Sequence, residues 1–213
     1  MNHVFRQPIA PEDQILIVYD VDDICHAQGK RIADDLEFDL ADWTSFYIER
    51  IPRFSDDLKK RARAALSDEK YFRDIEFYDG VEDILRPEEL DPRVEVVFNT
   101  KTGTREGADL KLRQLMEKIP GLTSDKITST IYENTNETRY KDIPKNTFVF
   151  VDDSPYNLGM SPAEINVTMI KPWNTSPEGL NLIKGKNVIM FPTLLQINRF
   201  IYFRTKVRLM TGI

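Results

Sequence analysis

Cysteine is almost missing from this chain of 213 residues: Cys25 stands alone, so no intrachain disulfide can form, and a reducing compartment fits best. Histidine is nearly as scarce, with two residues, which leaves no histidine–cysteine cluster of the kind that holds zinc. No apolar run approaches the ~20 residues that a membrane-spanning helix needs. Residues 1–14 lack the long apolar stretch of a signal peptide and carry Pro8, Pro11, Glu12 and Asp13 instead. Positive charge is not in excess either; the formal net charge is -6, which argues against a surface that coats a nucleic acid polymer. An anionic small molecule stays open, because a bound divalent cation reverses the local field. Repeats and low-complexity segments are absent. Asn136-Glu137-Thr138 and Asn166-Val167-Thr168 match the glycosylation pattern and read as chance without a secretory signal. The expectation is a cytoplasmic protein with no membrane and no nucleic acid partner, its oligomeric state open.

What is present is ordinary globular material, 41% apolar and 30% charged, enough for one well-cored domain with an inserted subdomain. The run Ile15-Leu16-Ile17-Val18-Tyr19 is unbroken and apolar, the pattern of a strand buried on both faces of a parallel sheet. Residues 94–98, 147–151 and 167–170 read the same way, and 127–131 more weakly. Between 99 and 127 lies a helical stretch with Leu110, Leu112, Leu115 and Met116, ended by Pro120-Gly121. Strands alternating with helices predict an α/β fold with a mostly parallel sheet of about five strands.

Residues from about 25 to 78 interrupt the alternation. They read as helices over 41–49, which carry Trp43, Phe46, Tyr47 and Ile48, and over 56–66, separated by Pro52. Asp79-Gly80 turns the chain back into a core helix over 81–85. Either this is a hairpin covering a sheet edge or it is a mobile cap. The cap reading is favoured because the insertion leaves directly after the most acidic strand end.

That strand end is Asp20-Val21-Asp22-Asp23, and a later strand stops in Asp152-Asp153-Ser154-Pro155. One aspartate after a strand caps a helix or tightens a turn. Clusters after two buried strands are harder to explain so, because unpaired buried charge is expensive. Ligands of open α/β sheets bind beyond the carboxyl ends of strands, where these carboxylates would converge, and a hard cation such as Mg2+ would remove their repulsion. Cys25-His26 fails as a thiol–base pair, since neighbours on an extended chain point apart, and Thr102-Gly103-Thr104 reads as a helix N-cap rather than a phosphate loop.

The stretch from strand through Asp20-Val21-Asp22 resembles the first motif of the haloacid dehalogenase (HAD) superfamily, and Phe148-Val149-Phe150-Val151-Asp152-Asp153 resembles the fourth. Thr100 looks like the second motif and Lys141 the third, with Asn99 and Lys145 as the alternatives. The resemblance covers roughly residues 15–173. It implies a Rossmann-like HAD core over 1–24 and 80–213, with a small helical C1-type cap over 25–79. Many members have Gly after the second aspartate; here it is Asp23, as in enzymes resembling the 5'(3')-deoxyribonucleotidases. Tyr71-Phe72-Arg73-Asp74, Asn157 after the fourth motif and Pro172-Trp173-Asn174 point the same way.

The resemblance implies an Mg2+-dependent phosphomonoesterase, a hydrolase of small phosphate monoesters working through an aspartyl-phosphate. Asp20 is the expected nucleophile, Asp22 its acid–base partner, and Thr100 and Lys141 the groups that bind the transferring phosphoryl. Metal ligands are expected from Asp20, the Asp22 backbone carbonyl, Asp152 and Asp153. Asn99, Tyr71 and Phe72 are the candidate substrate contacts, the two aromatics as a stacking surface for a nucleoside monophosphate. A sugar phosphate or other metabolite, or a silent metal-binding relative, is the alternative.

Overall fold

The computed structural model describes residues 13–66, 68–73, 75–131 and 141–212; the readings at Asp74, at 136–138 and at 1–12 lie outside them. Six parallel strands form one sheet in the order β3-β2-β1-β4-β5-β6. They are β1 (Ile15–Tyr19), β2 (Val94–Thr102), β3 (Ile127–Ile131), β4 (Thr147–Val151), β5 (Ile165–Met169) and β6 (Val188–Phe191). The expected count of about five missed β6, a four-residue edge strand whose residues are all only half-buried. The chain winds outward from β1 through β2 and β3 on one side, and through β4, β5 and β6 on the other. The switch of direction therefore falls between β1 and β4, the place where an α/β sheet opens a crevice at its carboxyl edge.

Alternation along β1 explains the layering. Ile15, Ile17 and Tyr19 face a core closed by Leu115 of helix α3 (Arg105–Lys118) and by Leu194, Ile197 and Ile201 of helix α7 (Leu194–Thr211). Leu16 and Val18 face the other side, against Leu158 of the short helix α4 (Pro155–Met160) and Ile183. This is a three-layer, Rossmann-like α/β fold. Tyr19 Oη donates to Asn198 on α7, whose amide donates in turn to the Gly80 carbonyl, so a buried polar chain ties the middle strand to the outer layer. The end of α7 is less solvated than its charges suggest: Arg208 pairs with Glu164 and its guanidinium lies 4.5 Å above the Phe148 ring.

The segment between β1 and β2 builds a second core from Ile32, Leu36, Trp43, Ile48, Ile51, Phe54, Ala62 and Tyr71, joined by Trp173 from beyond β5. Helix α1 (Gln28–Leu36) was not expected, whereas α2 (Asp56–Ala65) was, and Ser55 caps it through the Leu58 amide. Residues 41–49 form no α-helix. Asp39 accepts from the Ala41 amide and Ser45 Oγ from the Tyr47 amide, and these local bonds compete with helix, leaving only short 3-10 turns. The expected core helix over 81–85 is likewise a 3-10 turn, Val81–Asp83, entered through Gly80 at φ 94. Where the segment leaves and returns, the two chains run side by side: Tyr78 N–H donates to Cys25 O and Ala27 N–H to Glu76 O. Among the described residues no helix is long and apolar enough to cross a membrane.

Candidate active site

Asp20 is the first residue beyond β1, and its own amide still belongs to the ladder, donating to Val151 O at 2.7 Å. Its side chain is thus carried on rigid backbone. Oδ1 accepts from the Val21 amide at 2.7 Å and lies 2.5 Å from Lys141 Nζ; among the described residues Oδ2 takes part in no hydrogen bond. Lys141 Nζ also donates to Asp152 Oδ2 at 2.8 Å. Asp152 follows β4 and is held from the other side by the Ser154 amide and the Asn157 side chain. Asp153 accepts from Trp173 Nε1 at 3.0 Å, while Asn174 braces its carbonyl. Asp20, Asp152 and Asp153, all buried, each bring one carboxylate oxygen within 4.8 Å of the others.

The Asp20 carboxyl is raised to about 7: burial contributes most, Lys141 works against it, and Asp152 and Asp22 add to the rise. Burial also drives Asp153 well above the usual carboxylate range, with Asp152 and Asp20 adding repulsion. Burial opposes the charge on Lys141, but Asp152 and Asp20 outweigh it and hold the lysine above its ordinary value. Lys141 thus bonds two of the three buried carboxylates, Asp20 and Asp152, and leaves the cluster short of positive charge. An all-oxygen donor set in this state fits a hard divalent ion such as Mg2+, and no histidine or thiolate stands among the donors to favour zinc.

Strand geometry does not persist past Tyr19, so Asp22 does not simply repeat the direction of Asp20. Its Oδ2 lies 2.5 Å from Nζ of Lys111 on α3, and His26 Nε2 stands 3.3 Å from its Oδ1. The imidazole is fully buried, and burial lowers it to about 4 despite Asp22, so it is neutral. Cys25 is buried under the site, its thiol 3.3 Å from the Asp20 carbonyl. Thr100 lies inside β2 rather than after it, because that strand runs on to Thr102; the pairing of Tyr19 with Phe98 places Thr100 alongside the residues that follow β1. Asn99 donates to the Asp142 carbonyl, in the loop that carries Lys141. Lys145 is exposed at the opposite end of β4 from the carboxylates.

Asp23 has a φ of 55, in the left-handed region, which accounts physically for the glycine that the resembling family often carries there; aspartate is among the few other residues that tolerate it. Both its oxygens accept from the Gly29 amide at 3.0 Å, and a Cβ at Gly29 would come within 3.0 Å of Oδ2. Lys171 Nζ lies 3.8 Å away and pairs with Tyr78 Oη. Tyr71 and Phe72 are 3% and 1% exposed. Tyr71 belongs to the second core with its hydroxyl on Asp35, and Phe72 lies under Lys111 Nζ at 4.6 Å, so neither has an open face for a base in this conformation. Thr104 caps α3, within the stretch 102–104 expected to do so. Asn166 and Thr168 lie buried within β5, away from any glycosylating surface.

The sequence reading missed Lys111, His26 and Lys171. The one available signal was periodic: Gly107, Lys111 and Leu115 are four apart, which places a lysine on the buried stripe of a helix.

No protein-family model matches the chain, and the search of curated proteins finds no match. Solved structures do match. A chain from Bacteroides vulgatus provisionally assigned as a β-phosphoglucomutase aligns with a TM-score of 0.51 and 14% identity over 91% of this chain and 90% of its own. A haloacid dehalogenase-like family hydrolase from Streptococcus pneumoniae aligns at 0.50 and 11% over 89% and 99%. A provisional phosphatase from Clostridium difficile aligns at 0.51 and 13% over 88% and 98%. The fold is therefore that of haloacid dehalogenase-like hydrolases; the nucleotidase-like group is not singled out among these neighbours.

Proposed function

We propose that this protein is an Mg2+-dependent phosphomonoesterase in which Asp20 forms an aspartyl-phosphate. The observation that carries the reading is the state of Asp20: buried at the switch point, with Oδ1 held by Lys141 and the Val21 amide and Oδ2 in no hydrogen bond among the described residues. Oδ2 attacks phosphorus, the ester oxygen leaves with its electron pair, and water later releases phosphate, so one hard hydrolysis becomes two easier steps. Magnesium bound by Asp20, Asp152 and Asp153 would supply the charge that offsets repulsion between Asp20 and a phosphate dianion. Lys141 and the Thr100 hydroxyl neutralise the phosphoryl oxygens, and Asp22 handles the protons of both steps. Residues 25–79 act as the cap that closes over the crevice and meets the leaving group.

Both substrate classes remain candidates on equal terms. The aromatic pair that suggested a nucleoside monophosphate is buried, which removes the stacking surface on which that choice rested. A sugar phosphate fits the same phosphate machinery, and one structural neighbour is assigned to sugar phosphate chemistry.

A panel of phosphomonoesters with phosphate release as readout tests the reading. Activity should vanish in EDTA and return with Mg2+. Asp20→Asn should lose about three orders of magnitude or more while keeping its circular dichroism spectrum. Turnover by folded Asp20→Asn protein at the unmutated rate would sink the mechanism.

A further inference from the structure

Lys111 is 1% exposed on a helix face otherwise made of Gly107, Ala108 and Leu115. A buried ammonium is a poor stabiliser, since a well-packed apolar side chain of similar volume serves a core as well or better. Its contacts are specific. Nζ lies 2.5 Å from Asp22 Oδ2, 3.0 Å from the Lys101 carbonyl and 3.5 Å from Thr100 Oγ1, and it stands 4.6 Å above the Phe72 ring. One atom therefore links the residue assigned to proton transfer with the residue assigned to the phosphoryl group. The other Asp22 oxygen, Oδ1, is buried with no hydrogen-bond partner; His26 Nε2 is 3.3 Å from it but forms no hydrogen bond.

We infer that Lys111 is a positioning residue that fixes the Asp22 carboxylate through Oδ2 for the proton transfer of the second half-reaction. The inference rests on the phosphatase reading and deepens it. In the second half-reaction the water oxygen bonds to phosphorus and the bond from phosphorus to Asp20 Oδ2 breaks. The electron pair returns to the Asp20 carboxylate, and the water proton passes to the Asp22 carboxylate, leaving inorganic phosphate. Without Lys111 the Asp22 carboxylate turns about its last torsion, and that proton loses its aligned acceptor. The first half-reaction on a nitrophenyl ester is spared, because nitrophenolate leaves without a proton.

Rapid-quench kinetics on p-nitrophenyl phosphate with Mg2+ separate the halves. Lys111→Met should release about one equivalent of nitrophenolate in a fast burst. Its steady rate should then be about 10–100-fold below that of the unmutated protein, a fraction of what a general base contributes. Hydroxylamine-labile phosphate should accumulate on the protein. Should Lys111→Met fail to fold, the double variant Asp22→Asn/Lys111→Met removes both charges of the pair. It should match Asp22→Asn in steady rate, with no further loss. Equal slowing of burst and steady phases in Lys111→Met, unchanged kinetics, or a further tenfold loss in the double variant would each overturn the inference while leaving the phosphatase reading standing. No turnover by the unmutated protein would overturn the reading and the inference together.

Discussion

Lys141 holds Asp20 and Asp152 at once with a nearly buried side chain, and that double duty makes it the most consequential cation of the site. Removing it strips two buried carboxylates of their shared partner. Lys141→Ala should cut the catalytic rate by about a hundredfold or more, and without metal it should cost about 3–5 kcal/mol of stability in urea titrations. Lys145→Ala, exposed at the other edge of the sheet, should leave the rate unchanged and move stability by less than about 0.5 kcal/mol. The reverse ranking would refute the placement. The sequence made Asp20, Asp152 and Asp153 legible because each directly follows a strand too apolar to misread. Lys111 was not legible. The pattern of α3 reads through Leu110, Leu112, Leu115 and Met116, yet Met116 is 41% exposed and Lys111 is buried. What buries that lysine is a carboxylate distant in the chain, and no local periodicity encodes such a partner.

Among the elements, strands β1 and β4 fall where their apolar runs end, because both faces of each strand are covered and the run itself marks the boundary. β6 has only half-buried residues and an outer edge, so its four residues carry no comparable signal. In the inserted segment, aromatic side chains suggested a helix over 41–49, but Asp39 and Ser45 turn the backbone back on itself. This stretch meets the sheet domain through one carboxylate and through the rings of Tyr156 and Trp173. Glu178 on helix α6 (Pro177–Leu182) accepts from Ser45 Oγ at 2.7 Å, from Tyr156 Oη at 3.0 Å and from Arg50. Nearby, Trp43 and Trp173, the two tryptophans of the chain, face each other with ring centroids 5.7 Å apart. Tryptophan emission therefore reports on this seam alone. If the segment moves as a lid, Glu178→Ala should loosen it, raising acrylamide quenching of that emission and the KM for substrate. Unchanged quenching would mean that the apolar contacts hold the seam without the carboxylate.

For the molecule as a whole, a cation held by the acid cluster would couple to stability. Carboxylates that repel in the native state and separate on unfolding make the metal-free protein weaker than its packing warrants. If Mg2+ is the ion of the proposed function, it binds only the folded arrangement, so saturation at about a hundred times Kd should add about 2.7 kcal/mol and raise the melting temperature. Asp152→Asn/Asp153→Asn should melt at the same temperature with and without Mg2+; a metal-dependent shift in that variant would place the ion elsewhere. The sheet order has a further consequence, for how the chain is made. The central strand β1 comes first in the sequence, yet its two neighbours begin only at Val94 and Thr147. During synthesis, Ile15-Leu16-Ile17-Val18-Tyr19 leaves the ribosome with both edges bare and waits for partners that do not yet exist, a prime target for chaperones and for aggregation. The second neighbour arrives together with Lys141, Asp152 and Asp153. A nascent chain stalled before them holds Asp20 and the whole inserted segment but not the rest of the acid cluster, so the order of translation assembles the site only once β4 is made.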